Sequence, residues 1–373
     1  MTAAAWAETK LLRGRTLRVI AHDPFPVDAD GVSQPLPPEF VMGIGGATET
    51  LLELTPRRHV GRALDLGCGS GAQTLFLDAD RIIATDIDER ALAAANASCH
   101  LSGFRRLEPD VWRNGDSLIE FRQGSLLEPV EGQRFDLIVA NPPFVIEGVG
   151  HVHRDSPLPG DGLVRDLLAQ LPEHMNEGAV AVLLASWLHP QHGDWTERIA
   201  EWLPGDVSTW VAQRDVLDID AYIDVWSADA AVPPAERLLW RARLEALGAS
   251  AVGFGWIVLH RSRAHWSVIE DVSTASRVPD GDEVLAQLAS FASPPDALTL
   301  LAGAWAFVDT HWRGPLSLGP VEAALLAAVR AGATIEAAVE LVAAQLPADA
   351  DDLLALALAW ARDAVIRGYL VPA

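Results

Sequence analysis

Lysine is nearly absent: Lys10 is the only one in 373 residues, and arginine supplies the remaining basic side chains. Cysteine is as scarce, with Cys68 and Cys99 alone. Two thiols in a chain of this length make no disulfide framework, and the expected compartment is a reducing cytoplasm. No apolar stretch reaches the roughly 18 uncharged residues that a membrane span needs, so no membrane partner is expected. The N-terminus carries Glu8 and Lys10 and no basic region ahead of an apolar one, so it does not read as a secretory signal. Basic residues are outnumbered, 28 against 51 acidic, for a formal charge of −23. That excess opposes broad, sequence-independent binding of nucleic acid, whose phosphates must meet a basic surface. A local basic strip stays open.

Apolar residues, in contrast, are plentiful. Half the chain is hydrophobic, enough for a sizeable core. The length suits two or three domains at about 100–200 residues each. Residues 1–60 read as a lead-in segment, with a strand at 16–20, a loop broken by Pro24, Pro26, Pro35, Pro37 and Pro38, and a short helix at 47–54. Residues 61–262 alternate. Strand-like runs at 62–66, 81–86, 117–122, 135–140 and 179–185 are separated by helical patterns at 71–78, 88–101, 163–174 and 194–203. Two more strands fit 207–212 and 254–260, and the stretch between them has helical spacing with Trp226 and Trp240 on its apolar face. Alternation of this kind predicts an α/β fold, a doubly wound sheet of parallel strands with crossover helices. Residues 263–373 read as a second, mostly helical domain, with helices at 283–292, 296–309, 320–331, 334–346 and 350–367 and a strand-like end at 368–372.

Two motifs stand at the ends of strand-like runs. Asp65-Leu66-Gly67-Cys68-Gly69-Ser70-Gly71 follows Ala63-Leu64. In a doubly wound fold this junction lies at the carboxyl edge of the sheet, where ligands bind, and its glycines permit close approach of a cofactor to bare backbone. The Gly-x-Gly-x-Gly spacing departs from the dinucleotide fingerprint, and the favoured reading is an S-adenosylmethionine site with the Asp65 carboxylate toward the cofactor's positive end. An ordinary turn and a nicotinamide site are the alternatives. Asp86, closing the run 81–86, is placed to accept from ribose hydroxyls, with Ile87 against the adenine face and Asp88 as a helix N-cap. Gln123, Gly124 and Ser125 after the third strand frame the adenine edge or form a plain turn.

Asn141-Pro142-Pro143-Phe144 follows the run 135–140. Two prolines fix φ, holding the Asn141 side-chain oxygen and the Pro142 carbonyl toward one side. Two acceptors so placed bind the two hydrogens of a planar amine or amide, and Phe144 offers a face for stacking. Catalysis there is orientation and proximity. Arg154, Asp155, Asp161 and Gly162 follow as candidates for substrate contact or a covering loop. His151, His153, His189 and His192 fall in loop-like stretches without cysteine and read as solvated rather than metal-binding. Most of the thirteen tryptophans read as core.

Asp65 to Gly71, Asp86 and Asn141 to Phe144 together resemble the class I S-adenosylmethionine-dependent methyltransferases. More narrowly they resemble the N-methyltransferase branch with an Asn-Pro-Pro-aromatic motif, which includes the enzymes that methylate the glutamine of peptide-chain release factors and those acting on adenine N6 or guanine N2 of nucleic acids. Residues 47–52 resemble the helix before the core of the glutamine enzymes, and Asp161-Gly162-Leu163 matches their stretch after the clamp. The resemblance covers residues 40–260. It implies a Rossmann-like sheet and S-adenosylmethionine held by Asp65, Gly67, Cys68, Gly69, Gly71, Asp86, Ile87, Gly124, Ser125 and Asn141. Asn141, Pro142 and Phe144 would act on the acceptor, and no metal is implied.

There are two departures. The glutamine enzymes typically carry Tyr at Phe144, where Phe is common in the RNA guanine-N2 branch, and they carry an N-terminal helical domain not seen in this sequence. Residues 263–373 look instead like a winged-helix module, but between 264 and 373 the only arginines are Arg277, Arg313, Arg330, Arg362 and Arg367, with no lysine. The expected acceptor is a protein, peptide or small molecule, with an RNA base disfavoured by the acidity. A non-catalytic scaffold and a nicotinamide oxidoreductase are the rivals from other classes.

Overall fold

The computed structural model describes residues 6–28, 34, 36–37, 39–148, 155–228, 232–308, 311–314, 316, 318–344 and 350–373. The first strands, β1 (Ala7–Arg13) and β2 (Thr16–His22), form an antiparallel hairpin. Only the second was expected, because β1 alternates half-buried with exposed positions and buries no residue fully. Then come α1 (Gly46–Leu54), β3 (Val60–Leu66), β4 (Ala79–Asp86), α2 (Glu89–Leu101), β5 (Arg105–Glu108), β6 (Val111–Asn114), β7 (Ser117–Gln123) and β8 (Phe135–Ala140). They are followed by α3 (Gly162–Gln170), β9 (Met175–Pro190), α4 (Trp195–Ala200), β10 (Ser208–Asp218), α5 (Ile219–Ala228), α6 (Pro234–Ala246), β11 (Ala249–His260) and β12 (Ser267–Asp271).

Ten of these strands form one sheet in the order β12-β10-β11-β9-β8-β3-β4-β7-β6-β5. β3, β4, β7, β8 and β9 are parallel to their neighbours in that series, and β11 runs antiparallel between β9 and β10. The chain steps outward from β3 through β4 to β7, then crosses back to β8 on the other side of β3. That reversal opens a crevice beyond the carboxyl ends of β3 and β8, the place where doubly wound sheets take ligands. The central strands are buried on both faces, so they read as continuous apolar runs; Leu64, Ile83, Ile138, Val139, Ala181 and Leu183 are at most 1% exposed.

One expected helix is absent. Residues 71–78 form a turn and a single 3-10 turn, Thr74–Phe76. Asp65 takes the Thr74 N–H, which draws the chain back under β3, and Leu77 is extended into β4. Residues 105–114, read as no element, form the edge hairpin β5–β6; β5 is exposed throughout and β6 buries only Trp112, which gives little apolar signal.

The chain divides into two units, Met1–Ser273 and Thr274–Ala373. The second contains α7 (Gly281–Ala292), α8 (Ala297–Ala302), β13 (Trp305–Phe307), α9 (Pro320–Arg330), α10 (Ile335–Ala343), α11 (Ala350–Ile366) and β14 (Leu370–Pro372). Its helices pack around Leu325, Val329, Ile335, Val339, Ala357 and Ala361. β13 pairs antiparallel with β14. The expected helix over 296–309 ends at Ala302, and the chain turns through Gly303 into β13.

Candidate active site

Strand register gathers the motifs. Leu66 at the end of β3 lies opposite Thr85 on β4 and Ala140 on β8, and Asp86 lies opposite Gln123 on β7. The next residues out, Gly67, Asp86, Asn141 and Gly124, therefore leave the sheet at one edge, on strands about 4.8 Å apart.

Gly67, Gly69 and Gly71 all have positive φ, 71°, 53° and 81°, which only glycine adopts without strain. Two carboxylates shape this turn. Asp65 is buried beneath it, where its Oδ2 accepts the Thr74 N–H at 2.9 Å and the Thr74 hydroxyl at 2.5 Å. Burial pushes its carboxyl up to about 7 against the pull of those two bonds, with the nearby Asp86 adding to the rise. Asp65 thus sets the turn from below. Asp86 accepts the Gly69 N–H at 2.8 Å through Oδ2 and the Asp88 N–H at 2.9 Å through Oδ1, and burial raises its pKa also. Cys68 donates its N–H to Thr85 O at 2.9 Å; burial holds its thiol well above the usual range, so it is neutral packing rather than a nucleophile.

Ile87 is 57% exposed, an apolar side chain in solvent directly after Asp86. Asp88 caps α2 by accepting the Arg90 N–H at 2.8 Å. Gly124 donates to Asp86 O at 3.0 Å, and a Cβ there would run into Pro129. Ser125 O accepts the Glu128 N–H at 3.0 Å, closing a turn beside the Asp86 ledge. Gln123 Nε2 donates to Ile87 O at 3.2 Å and ties the two ends together.

Across the crevice, Asn141 Oδ1 is buried and accepts no hydrogen bond from any described residue. The backbone beyond it is tightly held. Ser186 on β9 donates its hydroxyl to Phe144 O. The Ile146 N–H donates to the Tyr222 hydroxyl of α5 at 2.7 Å, and Ile146 O accepts Trp240 Nε1–H of α6 at 2.9 Å. The Phe144 ring meets Trp226 edge-on at 6.2 Å. Ser186 and Tyr222 were invisible in the sequence, since a serine within an apolar strand and a tyrosine on a helix carry no motif. Trp240 was seen only as an apolar position.

The other candidates are less central. Asp161, whose side chain is 1% exposed, pairs with Arg198 and accepts the Leu188 N–H at 3.2 Å, so it locks α3 to β9 and α4. Asp155 bridges to Val145; His151, His153 and Arg154 lie outside the described residues. His189 Nε2 and Gln213 Oε1 are 2.6 Å apart and the ring stacks on Trp195, while His192 is exposed. Among the described residues, no cluster of three or more His, Cys, Asp or Glu side chains is arranged around a metal-sized space.

The glycine turn and Asn141, whose Oδ1 has no donor among the described residues, thus leave the sheet at the crevice of the strand-order reversal. Residues 42–155 match the family model described as Methyltransferase small domain. The matched residues span the glycine turn, Asp86 and the whole Asn-Pro-Pro-Phe motif. The chain is 36% identical over 161 residues to a release factor glutamine methyltransferase of Xylella fastidiosa, covering 38% of this chain and 54% of that one. It is 28% identical over 147 residues to a ribosomal RNA small subunit methyltransferase C of Haemophilus influenzae, covering 38% of each. Among solved structures, a T. thermophilus 16S rRNA N2 methyltransferase in complex with AdoMet and guanosine aligns at 20% identity, over 48% of this chain and 42% of that one, with a TM-score of 0.31. The chain thus spans about half the length of the first of these relatives. No helix among the described residues is long and apolar enough to cross a membrane.

Proposed function

We propose that this chain is a cytoplasmic S-adenosylmethionine-dependent N-methyltransferase acting on a planar amide or amine nitrogen of a protein, peptide or small molecule. The observation that carries the reading is Asn141 Oδ1, a buried acceptor without a donor among the described residues, at the sheet edge where the glycine turn also emerges. Leaving such a group unpaired costs about 1–3 kcal/mol, and an N–H of the acceptor substrate would satisfy it. The Pro142 carbonyl is the second acceptor, and the Phe144 ring supports the flat group. The two bonds then aim the nitrogen lone pair across the crevice.

The residues at the opposite wall fit the cofactor. The glycine turn brings bare backbone to its methionine portion, the Asp86 carboxylate is placed for the ribose hydroxyls, Ile87 for the adenine face, and Gly124 and Ser125 for the adenine edge. When bound, S-adenosylmethionine supplies a methyl group already activated by its sulfonium. What remains for Asn141, Pro142 and Phe144 is orientation, a contribution of up to several kcal/mol in well-aligned sites.

A second reading is methylation of an RNA base amine. It is favoured by Phe144 and by the match to the ribosomal RNA enzyme, and opposed by the charge of −23. Transfer from isotope-labelled S-adenosylmethionine into a bacterial lysate, split into protein, RNA and small-molecule fractions, decides between them. Label in protein or small molecules supports the first reading; label in RNA moves the acceptor to a base; no label in any fraction counts against both.

A further inference from the structure

A cleft of about 520 Å³ opens at the edge of the sheet opposite the glycine turn. Its walls come from the β1–β2 hairpin, the end of α1, the segment before β4 and the β6–β7 turn. His59 and Asp78, immediately before β3 and β4, and Ser117, the first residue of β7, stand at the strands' amino ends. The glycine turn leaves the far end of β3, a strand of 7 residues and so about 23 Å long.

In a chain with 23 excess negative charges, three arginines border this cleft: Arg13, Arg18 and Arg57. Arg13 is taken by Glu53, and Arg57, about half exposed, stands 3.7 Å from that same carboxylate. His59 is committed to Asp78 and Asp80 at 2.8 and 3.2 Å. Arg18 differs. Among the described residues no carboxylate lies within ion-pair distance of it. Its Nε donates to Leu75 O at 2.9 Å and its Nη1 to Leu17 O at 3.3 Å, both backbone carbonyls. Its guanidinium lies over the Phe104 and Phe76 rings at 4.8 and 6.0 Å. Partial burial lowers its pKa, the mark of a cation short of compensation.

A second group in the wall is only half satisfied among the described residues. Gln73 is 6% exposed; its Nε2 donates to Thr48 O at 3.0 Å, which fixes the amide orientation, and its Oε1 is buried and accepts from no described residue. The cleft therefore offers, among the described residues, a cation without a counter-charge and an acceptor without a donor. We propose that it binds a phosphorylated polyol, with the phosphate on Arg18 and Arg57 and a hydroxyl donating to Gln73 Oε1. Guanidinium groups bind phosphate oxygens through charge-assisted pairs, and the volume suits a small ligand. The site is independent of the methyl-transfer reading.

Calorimetric titration of the full chain at low ionic strength, with and without S-adenosylhomocysteine, tests it. Ribose 5-phosphate is expected to bind one to one, more tightly than inorganic phosphate, and unaffected by S-adenosylhomocysteine. Arg18→Gln and Arg57→Gln should each weaken it tenfold or more. Asp116→Asn, which removes a carboxylate of the same wall, should tighten it. Arg57 is half exposed, so its variant keeps the test valid if Arg18→Gln does not fold. The proposal is overturned by no saturable binding at millimolar ligand, by unchanged binding in Arg57→Gln, by competition with S-adenosylhomocysteine, or by gluconate binding more tightly than ribose 5-phosphate.

Discussion

Replacing Asp65 with Asn tests how the glycine turn is built. Asp65 is buried, and burial raises its carboxyl from 3.8 to about 7 despite two bonds from Thr74. An acid whose folded pKa lies above its unfolded one contributes stability that is fully present below the unfolded pKa and lost as pH rises through the folded one. The window therefore runs from about pH 4 to pH 7. At roughly 1.4 kcal/mol per unit, ionised Asp65 costs the folded state on the order of 4 kcal/mol by pH 8. Asn does not ionise, and its Oδ1 can still accept the Thr74 N–H and hydroxyl. Asp65→Asn should thus exceed the wild type by only about 1 kcal/mol near pH 4.5 and by up to about 4 kcal/mol at pH 8. Urea unfolding of both proteins across that range, followed by tryptophan fluorescence, gives the difference. A difference that does not change with pH, or a variant less stable at pH 8, would refute the reasoning.

Tyr222→Phe keeps the ring against Trp240 and Phe254 but leaves the Ile146 N–H without its acceptor. It should lose about 1–3 kcal/mol of stability in urea titration and reduce methyl transfer more than cofactor binding. Arg198→Ala strands the Asp161 carboxylate, which is 1% exposed, and should cost about 3–5 kcal/mol in the same assay. In the second unit, burial and then the neighbouring Arg313 depress His311 to about 4. Its contribution is present above pH 6.5 and lost as pH falls through 4, so thermal unfolding of His311→Phe should be less sensitive to pH in that window.

The fold of the first unit was readable because its central strands are covered on both faces: 62–66, 81–86 and 135–140 are continuous apolar runs, each ending in a motif. The edges were not. β5 has four exposed residues and β1 no buried one, so neither carries the apolar signal that hydrophobic periodicity detects. The helix expected at 71–78 failed because a local side-chain bond, Asp65 to Thr74, overrides the helical spacing. Asn141 and Asp86 were picked out through their neighbours in sequence, and both lie at the carboxyl edge of the sheet. Ser186, Tyr222 and Trp240 meet the clamp from residues 42 to 94 positions away, a distance at which no motif exists. Asp65 was read as facing the cofactor, and its Oδ2 turns inward to Thr74.

The most direct test of the central claim is Asn141→Ala, assayed in parallel for cofactor binding and for transfer. Calorimetry with S-adenosylmethionine should give an affinity close to that of the wild type, while label from S-adenosylmethionine should no longer enter the lysate fraction that the wild type methylates. Transfer that survives the substitution would contradict the assignment of Asn141 as the group that orients the acceptor nitrogen.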